Sequence, residues 1–331
     1  MPARNESLMR ALVEHNAPYW AGEYAVARRY FADGVRTREI DIRWIELQMF
    51  KEWTGSGVYG DRSVTLTSVI RQGLDELLKI ERGDAVKDLD RISGLIQFGV
   101  DEFNHFSILY KLYRMVAPDR KRSVFEMGDL PEAKKMVDMR QHVRETHPLG
   151  DTIVDLTEGG GLGMYFGIAK AFEGHALNDA DRIVDDFARM TIRDETSHMK
   201  GRFQKALGLG ITPSQWVEVD RGLSGLFEQK LIERNEQFGN VYSRAELDAM
   251  AKDVGAGRAY VKTNLGFLSR ELALAAGPSA LAVDVAPASR RRATPRRPCI
   301  PPPRDAETAM RRSRFADARM SLALACAQAL A

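Results

Sequence analysis

The chain has 331 residues, of which 44% are hydrophobic and 28% charged, and its formal net charge is +2. This composition is typical of a globular protein and leaves room for one large domain of roughly 250 residues plus further chain. No apolar stretch approaches the ~20 residues of a membrane-spanning helix, and the polar start lacks the apolar core of a secretory signal. We therefore expect a cytoplasmic protein with no membrane partner.

The cysteines restrict the chemistry of any metal site. The only two, Cys299 and Cys326, lie near the end of the chain. The preceding residues therefore have no disulfide framework and no thiolate ligands. Any metal ion bound there must be held by carboxylates and imidazoles.

The positive charge is concentrated in the last part of the chain. Residues 276–331 contain ten Arg and four acidic residues, a net +6, so the rest carries +2 minus +6, or −4. This distribution does not indicate a nucleic-acid surface on the main domain. Residues 273–331 are rich in Pro, Arg and Ala, a composition that predicts disorder, with a weak helix near 306–330. The tail is either a dispensable extension or an Arg-rich arm for an acidic partner.

Apolar residues at helical spacing recur up to about residue 272, and strand signals are nearly absent. The predicted fold class is all-α, with a helical domain over 1–272. Breaks rich in Gly and Pro separate the helices. The predicted helices span 5–33, 36–54, 63–83, 86–116, 130–146, 150–172, 179–208, 213–238 and 244–271.

Two segments share one pattern, Asp101-Glu-Phe-Asn-His105 and Asp194-Glu-Thr-Ser-His198. Each places Glu and His three residues apart on a predicted helix, so both side chains project from one face. The neighbouring positions on those faces are apolar, and an ionised carboxylate directed into a core is costly unless it is paired or bound to metal. The two motifs together predict metal ligation by Glu102, His105, Glu195 and His198.

A third acid occupies a similar apolar face. Glu158 has Val154, Leu162 and Tyr165 as helical neighbours. It lies about 18 residues before the turn near 178–179, and Glu195 lies about as far after it. An antiparallel hairpin would therefore bring Glu158 and Glu195 to one level of a four-helix bundle, where di-metal sites are found.

These motifs resemble the ferritin-like di-iron carboxylate superfamily. Residues 192–198, Ile-Arg-Asp-Glu-Thr-Ser-His, look like the second Glu-x-x-His helix of ribonucleotide reductase small subunits, and Glu158 with the following Gly, Tyr165 and Phe166 is similar to their third-helix pattern. The resemblance covers about 86–208 and implies a ferritin-like four-helix bundle with flanking helices. It also implies a non-haem di-iron centre that activates O2.

The fourth carboxylate is open to two interpretations. Glu46 lies on an apolar face of helix 36–54, whereas Glu76 would serve if the turn of the first hairpin lies later. We place Glu46 in the expected ligand set, with Glu76 or a five-ligand site as the alternatives. The expected metal core then comprises 86–208 and helix 36–54.

Several positions differ from particular branches of the superfamily. Leu109 stands where ribonucleotide reductases usually have their radical tyrosine, with Tyr110 next to it. Thr191 stands where N-oxygenases and haem-oxygenase-like di-iron oxidases usually add a histidine. The absence of Cys before residue 299 also argues against a rubredoxin module.

The predicted function is a non-haem di-iron oxygenase or oxidase that uses O2 to hydroxylate, desaturate, N-oxygenate or cleave a small organic substrate. Two Fe ions are expected, with Mn as the alternative, and Asp101 and Asp194 should hydrogen-bond the imidazoles of the opposite motif. The expected electron donor is a reductase or ferredoxin, and a homodimer is compatible. The alternatives are an iron-storage protein, a haem-oxygenase-like di-iron oxidase and a helical scaffold with ordinary Glu–His pairs.

Other features have simpler interpretations. Gly159, Gly160, Gly161, Gly163 and Gly167 either leave room for substrate or re-aim Glu158 through a π-bulge, or else they allow close helix packing. The basic run at 119–122 is interpreted as a solvated loop. The tryptophans at helical spacing, Trp20, Trp44 and Trp216, are expected in the core.

Overall fold

The structure, a computed structural model, describes residues 2–32, 34–54, 65–83, 89–157 and 161–266. All regular structure in these ranges is helical and no strand occurs in them, which confirms the all-α class. None of the helices described is both long and apolar enough to cross a bilayer. The predicted tail, 273–331, lies outside the described residues.

The described residues form eleven α-helices. A single 3-10 turn, Val124–Glu126, lies between α4 and α5. In chain order the α-helices are α1 Pro2–Ala32, α2 Arg38–Trp53, α3 Leu66–Glu81, α4 Leu89–Val116, α5 Pro131–Thr146, α6 Gly150–Leu156, α7 Gly161–Phe172, α8 Asp179–Gly208, α9 Pro213–Gln237, α10 Arg244–Met250 and α11 Val254–Asn264.

Two predicted helices are each described as two separate elements. The segment 150–172 contains α6 and α7, and 244–271 contains α10 and α11. The second break has a local cause, because the Asp253 side chain accepts a hydrogen bond from the backbone N–H of Ala256 at 2.9 Å and so caps α11. A capping carboxylate starts a helix at that point, which helical periodicity alone does not reveal.

The acidic motifs lie on α4 and α8, which belong to a group of four helices with α2 and α7. α2 packs on α4, α4 packs on α8, and α8 packs on α7. Short polar caps fix where they begin: Thr37 caps α2, and the Asn178 side chain accepts from the N–H of Asp181 to cap α8. The turn between α7 and α8 is only six residues long, so these two helices form the predicted hairpin.

The three tryptophans expected in the core are buried, which confirms that prediction. Trp44 belongs to the apolar cluster around α2, α4, α7 and α8, whereas Trp20 and Trp216 belong to a second cluster built on α1 and α9. The acidic motifs therefore lie in a bundle that is closed by apolar packing on two sides.

Glycines on α7 allow the N-terminal helix α1 to approach closely. A Cβ added to Gly163 would lie 2.6 Å from the carbonyl oxygen of Trp20, and one added to Gly167 would lie 2.5 Å from that of Tyr24. Both distances are shorter than van der Waals contact, so the backbones of α1 and α7 meet where these side chains are missing. For Gly163 and Gly167, the structure favours close helix packing over the substrate-space interpretation.

A buried polar layer joins α9 to the helices beneath it. Arg234 donates from Nε to Glu23 at 3.2 Å and from Nη1 to Gln48 at 3.3 Å. Lys230 donates to the backbone oxygen of Thr157 at 3.1 Å. Such groups are tolerated in an interior only when they are hydrogen-bonded or paired, so the layer fixes the position of α9.

We expect Gly163→Ala to lower the free energy of unfolding by about 1–3 kcal/mol, because its methyl group overlaps the backbone of α1. Gly201→Ala is the matched control, since Gly201 lies on α8 with no atom within 4 Å of an added Cβ. The control should raise the stability by up to about 1 kcal/mol through helix propensity. Chemical denaturation measures both values, and equal effects would contradict the packing assigned to α1 and α7.

Lys230 should make stability depend on pH in the alkaline range. Burial lowers the pKa of Lys230 from 10.5 to about 8 in the folded chain, although Glu23 partly opposes the shift. Between these two values the unfolded chain binds more protons, so the contribution of Lys230 to stability rises with pH, by at most about 3 kcal/mol.

The measurement is the difference in free energy of unfolding between the wild type and Lys230→Met at several pH values. As the pH rises from 8 to 10.5, the stability of the wild type should increase relative to that of Lys230→Met. Lys252→Met, which removes an exposed lysine, should keep the wild-type pH profile. A difference that does not vary with pH would show that Lys230 is not held in an unfavourable charged state.

Candidate metal centre

Five side chains from α2, α4 and α8 form two adjoining groups of metal-ligand type. Glu52, Glu102 and His105 form the first group, and Glu102, Glu195 and His198 form the second. In each group the ligand atoms lie within 4.8 Å of one another. Glu102 belongs to both, so the two groups share one carboxylate.

Helical spacing explains how each motif contributes two ligands. Glu102 and His105 are three residues apart on α4, as are Glu195 and His198 on α8, so each pair projects from one face. Because α4 packs on α8, the two faces meet. The structure therefore brings together the four residues that the motifs predict.

The carboxylates of this cluster are removed from solvent. Glu52 and Glu102 are each 3% exposed, Glu195 is 8% exposed and His105 is fully buried. His198 lies nearest the surface, with 21% of its side chain exposed. Three buried carboxylates at such short distances repel one another and require compensation by cations or protons.

Each imidazole faces the cluster with one nitrogen and an aspartate with the other. His105 has Nδ1 3.2 Å from Oε2 of Glu52 and Nε2 3.3 Å from Oδ2 of Asp194. His198 has Nδ1 3.5 Å from Oε2 of Glu195 and Nε2 4.0 Å from Oδ2 of Asp101. Each aspartate thus approaches the histidine of the opposite motif, but only Asp194 lies within hydrogen-bond distance, whereas Asp101 lies within ion-pair distance of His198.

This arrangement sets the orientation of both rings. An aspartate that accepts the Nε2 proton holds a neutral imidazole in the tautomer whose Nδ1 lone pair is available to a metal ion. In both motifs it is Nδ1 that faces the carboxylate cluster. Asp101 and Asp194 are therefore placed to orient the ligands without themselves joining the two groups.

The negative charge around His105 raises the pKa of its imidazole. Burial alone would lower the pKa of His105, but its hydrogen bonds to Asp194 and Glu52 outweigh burial and raise the pKa to about 10. Burial also acts to raise the pKa of Glu52, and His105 more than offsets it and holds that pKa below its ordinary value. A proton on His105 therefore supplies positive charge beside the buried carboxylates.

Glu46, which we expected as the fourth carboxylate, is engaged elsewhere. It forms ion pairs with Arg120 and Arg122, each at 2.7 Å, and accepts a hydrogen bond from the hydroxyl of Tyr113 at 3.0 Å. Glu52 lies six residues later, which is about 9 Å along the helix and on a different face. That face meets His105, so Glu52 and not Glu46 reaches the cluster.

The other two candidate carboxylates have different outcomes. Glu76, the alternative to Glu46, lies on α3 and pairs with Lys79 at 3.1 Å, and it belongs to neither group of ligand type. Glu158 lies outside the described residues, so its assignment as a ligand stays a prediction. The described part of the chain thus supplies three carboxylates and two imidazoles to the centre.

A tyrosine that the sequence analysis did not select also approaches the cluster. The hydroxyl of Tyr165 donates to Oε1 of Glu52 at 3.5 Å and accepts from Nε2 of Gln48 at 2.9 Å. Burial and the neighbouring carboxylates raise the pKa of Tyr165 well above its ordinary value, so it remains a neutral donor. Leu109 is fully buried, and Tyr110 is largely exposed.

The helical pattern around Tyr165 and Glu52 did not indicate that these residues lie at the carboxylate cluster. Tyr165 appeared as an apolar neighbour of Glu158 and in the resemblance to the third-helix pattern, but not as a site residue, and Glu52 sits near the end of α2 beside Gln48. One signal was present, because Gln48 and Glu52 are four residues apart and form a polar stripe on an otherwise apolar helix.

Comparisons with known proteins do not place this chain in a family. No family model matches it, and neither a curated protein nor a solved structure is significantly similar to it. The functional argument therefore rests on the residues and geometry of the chain itself.

Replacing Glu52 and Glu46 separately tests which of them serves the centre. We expect Glu52→Gln to weaken divalent-metal binding by at least about tenfold, because it removes a charged ligand. Glu46→Gln should leave metal affinity within about threefold of the wild type and instead lower stability by about 1–3 kcal/mol, since it weakens a buried charge pairing.

Anaerobic Fe(II) titration gives the affinities, and thermal unfolding gives the stabilities. The two variants make the same chemical change on the same helix, so each controls for the other. If Glu46→Gln weakened metal binding more than Glu52→Gln did, the arrangement around α2 would be wrong.

Proposed function

We propose that this protein is a non-haem di-iron oxygenase or oxidase of the ferritin-like kind, which uses O2 to oxidise a small organic substrate. The observation that carries the proposal is the pair of Glu/His groups that share Glu102. Two metal sites joined by one carboxylate are the arrangement that di-metal carboxylate proteins build inside a helical bundle.

The donor set supports iron. Carboxylates with one imidazole per ion suit iron or manganese, whereas Ca²⁺ and Mg²⁺ prefer oxygen ligands alone. The buried charge supports the same conclusion, because Glu52, Glu102 and Glu195 have few exposed atoms and lie close together. Two divalent cations would more than offset the three negative charges, a fourth carboxylate such as Glu158 would balance them, and the cations would replace the proton on His105.

The following residues would bind the two ions. Glu52, Glu102 and His105 would hold one ion, and Glu102, Glu195 and His198 would hold the other. Glu158 is proposed as a further carboxylate ligand on the strength of its sequence pattern. Bound iron would pass electrons from the external donor and from the substrate to O2.

The surroundings would control protons and water. Asp194 and Asp101 would hold the Nε2 protons of the two imidazoles, and Tyr165 would orient Glu52 through its hydroxyl. Phe187 packs edge-on against both His105 and Tyr165, with ring centroids 6.3 and 5.5 Å away. These apolar walls would limit water at the metal centre, which strengthens the electrostatic interactions inside it.

The substrate class and the partners follow from the same proposal. The reaction would be a hydroxylation, desaturation, N-oxygenation or oxidative cleavage. Each turnover would need electrons from a reductase or ferredoxin. Iron storage is the competing role, and it would not require a substrate.

Iron loading and O2 consumption test the proposal. The full chain should bind two Fe(II) ions anaerobically, and exposure to O2 should give an antiferromagnetically coupled di-ferric Mössbauer spectrum. Glu102→Ala should lose both ions, because Glu102 serves both groups, whereas Asp185→Asn, which changes an acid on α8 paired with Arg189, should retain them.

The same experiment separates the competing roles. An oxidase predicts O2 consumption that a substrate stimulates, whereas storage predicts substrate-independent Fe(II) oxidation and a large hollow shell. If the chain bound no iron, and the stability of Glu102→Ala were unchanged, the Glu–His pairs would be ordinary structural groups and the proposal would fail.

A further inference from the structure

A second candidate site lies at the C-terminal end of α4, away from the metal centre. A pocket of about 360 Å³ is formed there by Tyr110, Tyr113 and Arg114 of α4 and by the loop at 120–123. The sequence analysis interpreted this basic loop as simply solvated. That interpretation is wrong for two of its arginines, because Arg120 and Arg122 bind the buried Glu46.

Glu46 holds these two arginines in different ways. Arg122 is fully engaged, since it also donates to the backbone oxygen of Glu126 and pairs with Asp129 at 3.3 Å. Arg120 uses Nε and Nη2 on Glu46. Its Nη1 has no hydrogen-bond partner among the described residues, so Glu46 fixes a guanidinium that still has donors to offer.

Two further cations at the pocket have no counter-charge. Arg114 and Lys121 are exposed, and neither forms an ion pair or side-chain hydrogen bond with any described residue. Ser123 adds a hydroxyl, and the Glu126 carboxylate nearby is engaged with the Ser123 N–H at 2.9 Å. Positively charged side chains with available hydrogen-bond donors therefore line the pocket from both α4 and the loop.

The pocket also offers an aromatic surface. Tyr110 is 48% exposed and stacks on Phe106 at an interplanar angle of 18°. Phe106 thus holds the Tyr110 ring in place, while part of that ring remains accessible to solvent. A fixed, accessible ring favours stacking with a planar group of a ligand.

A larger pocket, which lies between α2, α4 and α8, lacks these properties. It has a volume of about 500 Å³ and is lined by Arg36 and Arg38, among others. Arg36 is paired with Asp41 and Asp181, and Arg38 donates to the backbone oxygen of Val116. Its cations are already bound, so it does not select for an anion.

We propose that the pocket at the end of α4 binds a small phosphate monoester that carries an aromatic or other planar group. Its volume is within the usual range of small-molecule sites. A phosphate has several acceptor oxygens, and the pocket offers it donors from Arg114 on α4 and from Arg120 and Lys121 in the loop. The planar group would lie against Tyr110.

Calorimetric titration of the full chain with phenyl phosphate at low ionic strength tests this site. We expect saturable binding that weakens by at least about tenfold in the double variant Arg114→Gln, Lys121→Gln, because each charged hydrogen bond contributes that much. Neither residue has a structural partner, so the variant should fold normally. Benzoate should bind more weakly than phenyl phosphate to the wild type.

The matched control is Arg258→Gln, Lys262→Gln, which removes one exposed Arg and one exposed Lys from α11. It should bind phenyl phosphate as the wild type does. No saturable binding up to about 10 mM would overturn the proposal, as would equal weakening in both double variants. Binding that neither variant changes would place the phosphate elsewhere, including at the metal centre, and would overturn it as well.

Discussion

Mutual repulsion among buried carboxylates is the constraint on which this structure depends. Glu52, Glu102 and Glu195 converge from three helices into an interior where water cannot screen them. Such a group is stable only if cations or protons neutralise it. The raised pKa of His105 indicates how strongly the site attracts positive charge when no metal is bound. The packing of α2, α4 and α8 is therefore linked to whatever supplies that charge.

The two histidines show how the chain prepares for such a charge. Each ring points Nδ1 toward the carboxylates and Nε2 toward an aspartate of the other motif. One five-residue pattern, used twice, therefore supplies two candidate ligands and one aspartate that faces a histidine to each half of the cluster. Because the aspartates cross between α4 and α8, neither helix can rotate without disturbing the ligand on its neighbour.

The sequence predicted the contributions of α4 and α8 because one helical turn relates Glu102 to His105 and Glu195 to His198. Periodicity also predicted most helices. It did not identify Glu52, since α2 is buried on nearly every side and an apolar flank then no longer distinguishes one acid from another. Glu46 satisfied the same criterion, and only the long-range contact with Arg120 and Arg122 shows that its charge is already neutralised.

The pairing of Glu46 has a mechanical consequence for the metal centre. α2 is attached to α4 and its following loop at two levels, by Glu46 through Tyr113, Arg120 and Arg122, and by Glu52 through His105. Two attachments about 9 Å apart along one rigid rod prevent it from sliding or tilting. The carboxylate cluster is thus held in position by a pairing that does not depend on the cluster's own charge balance.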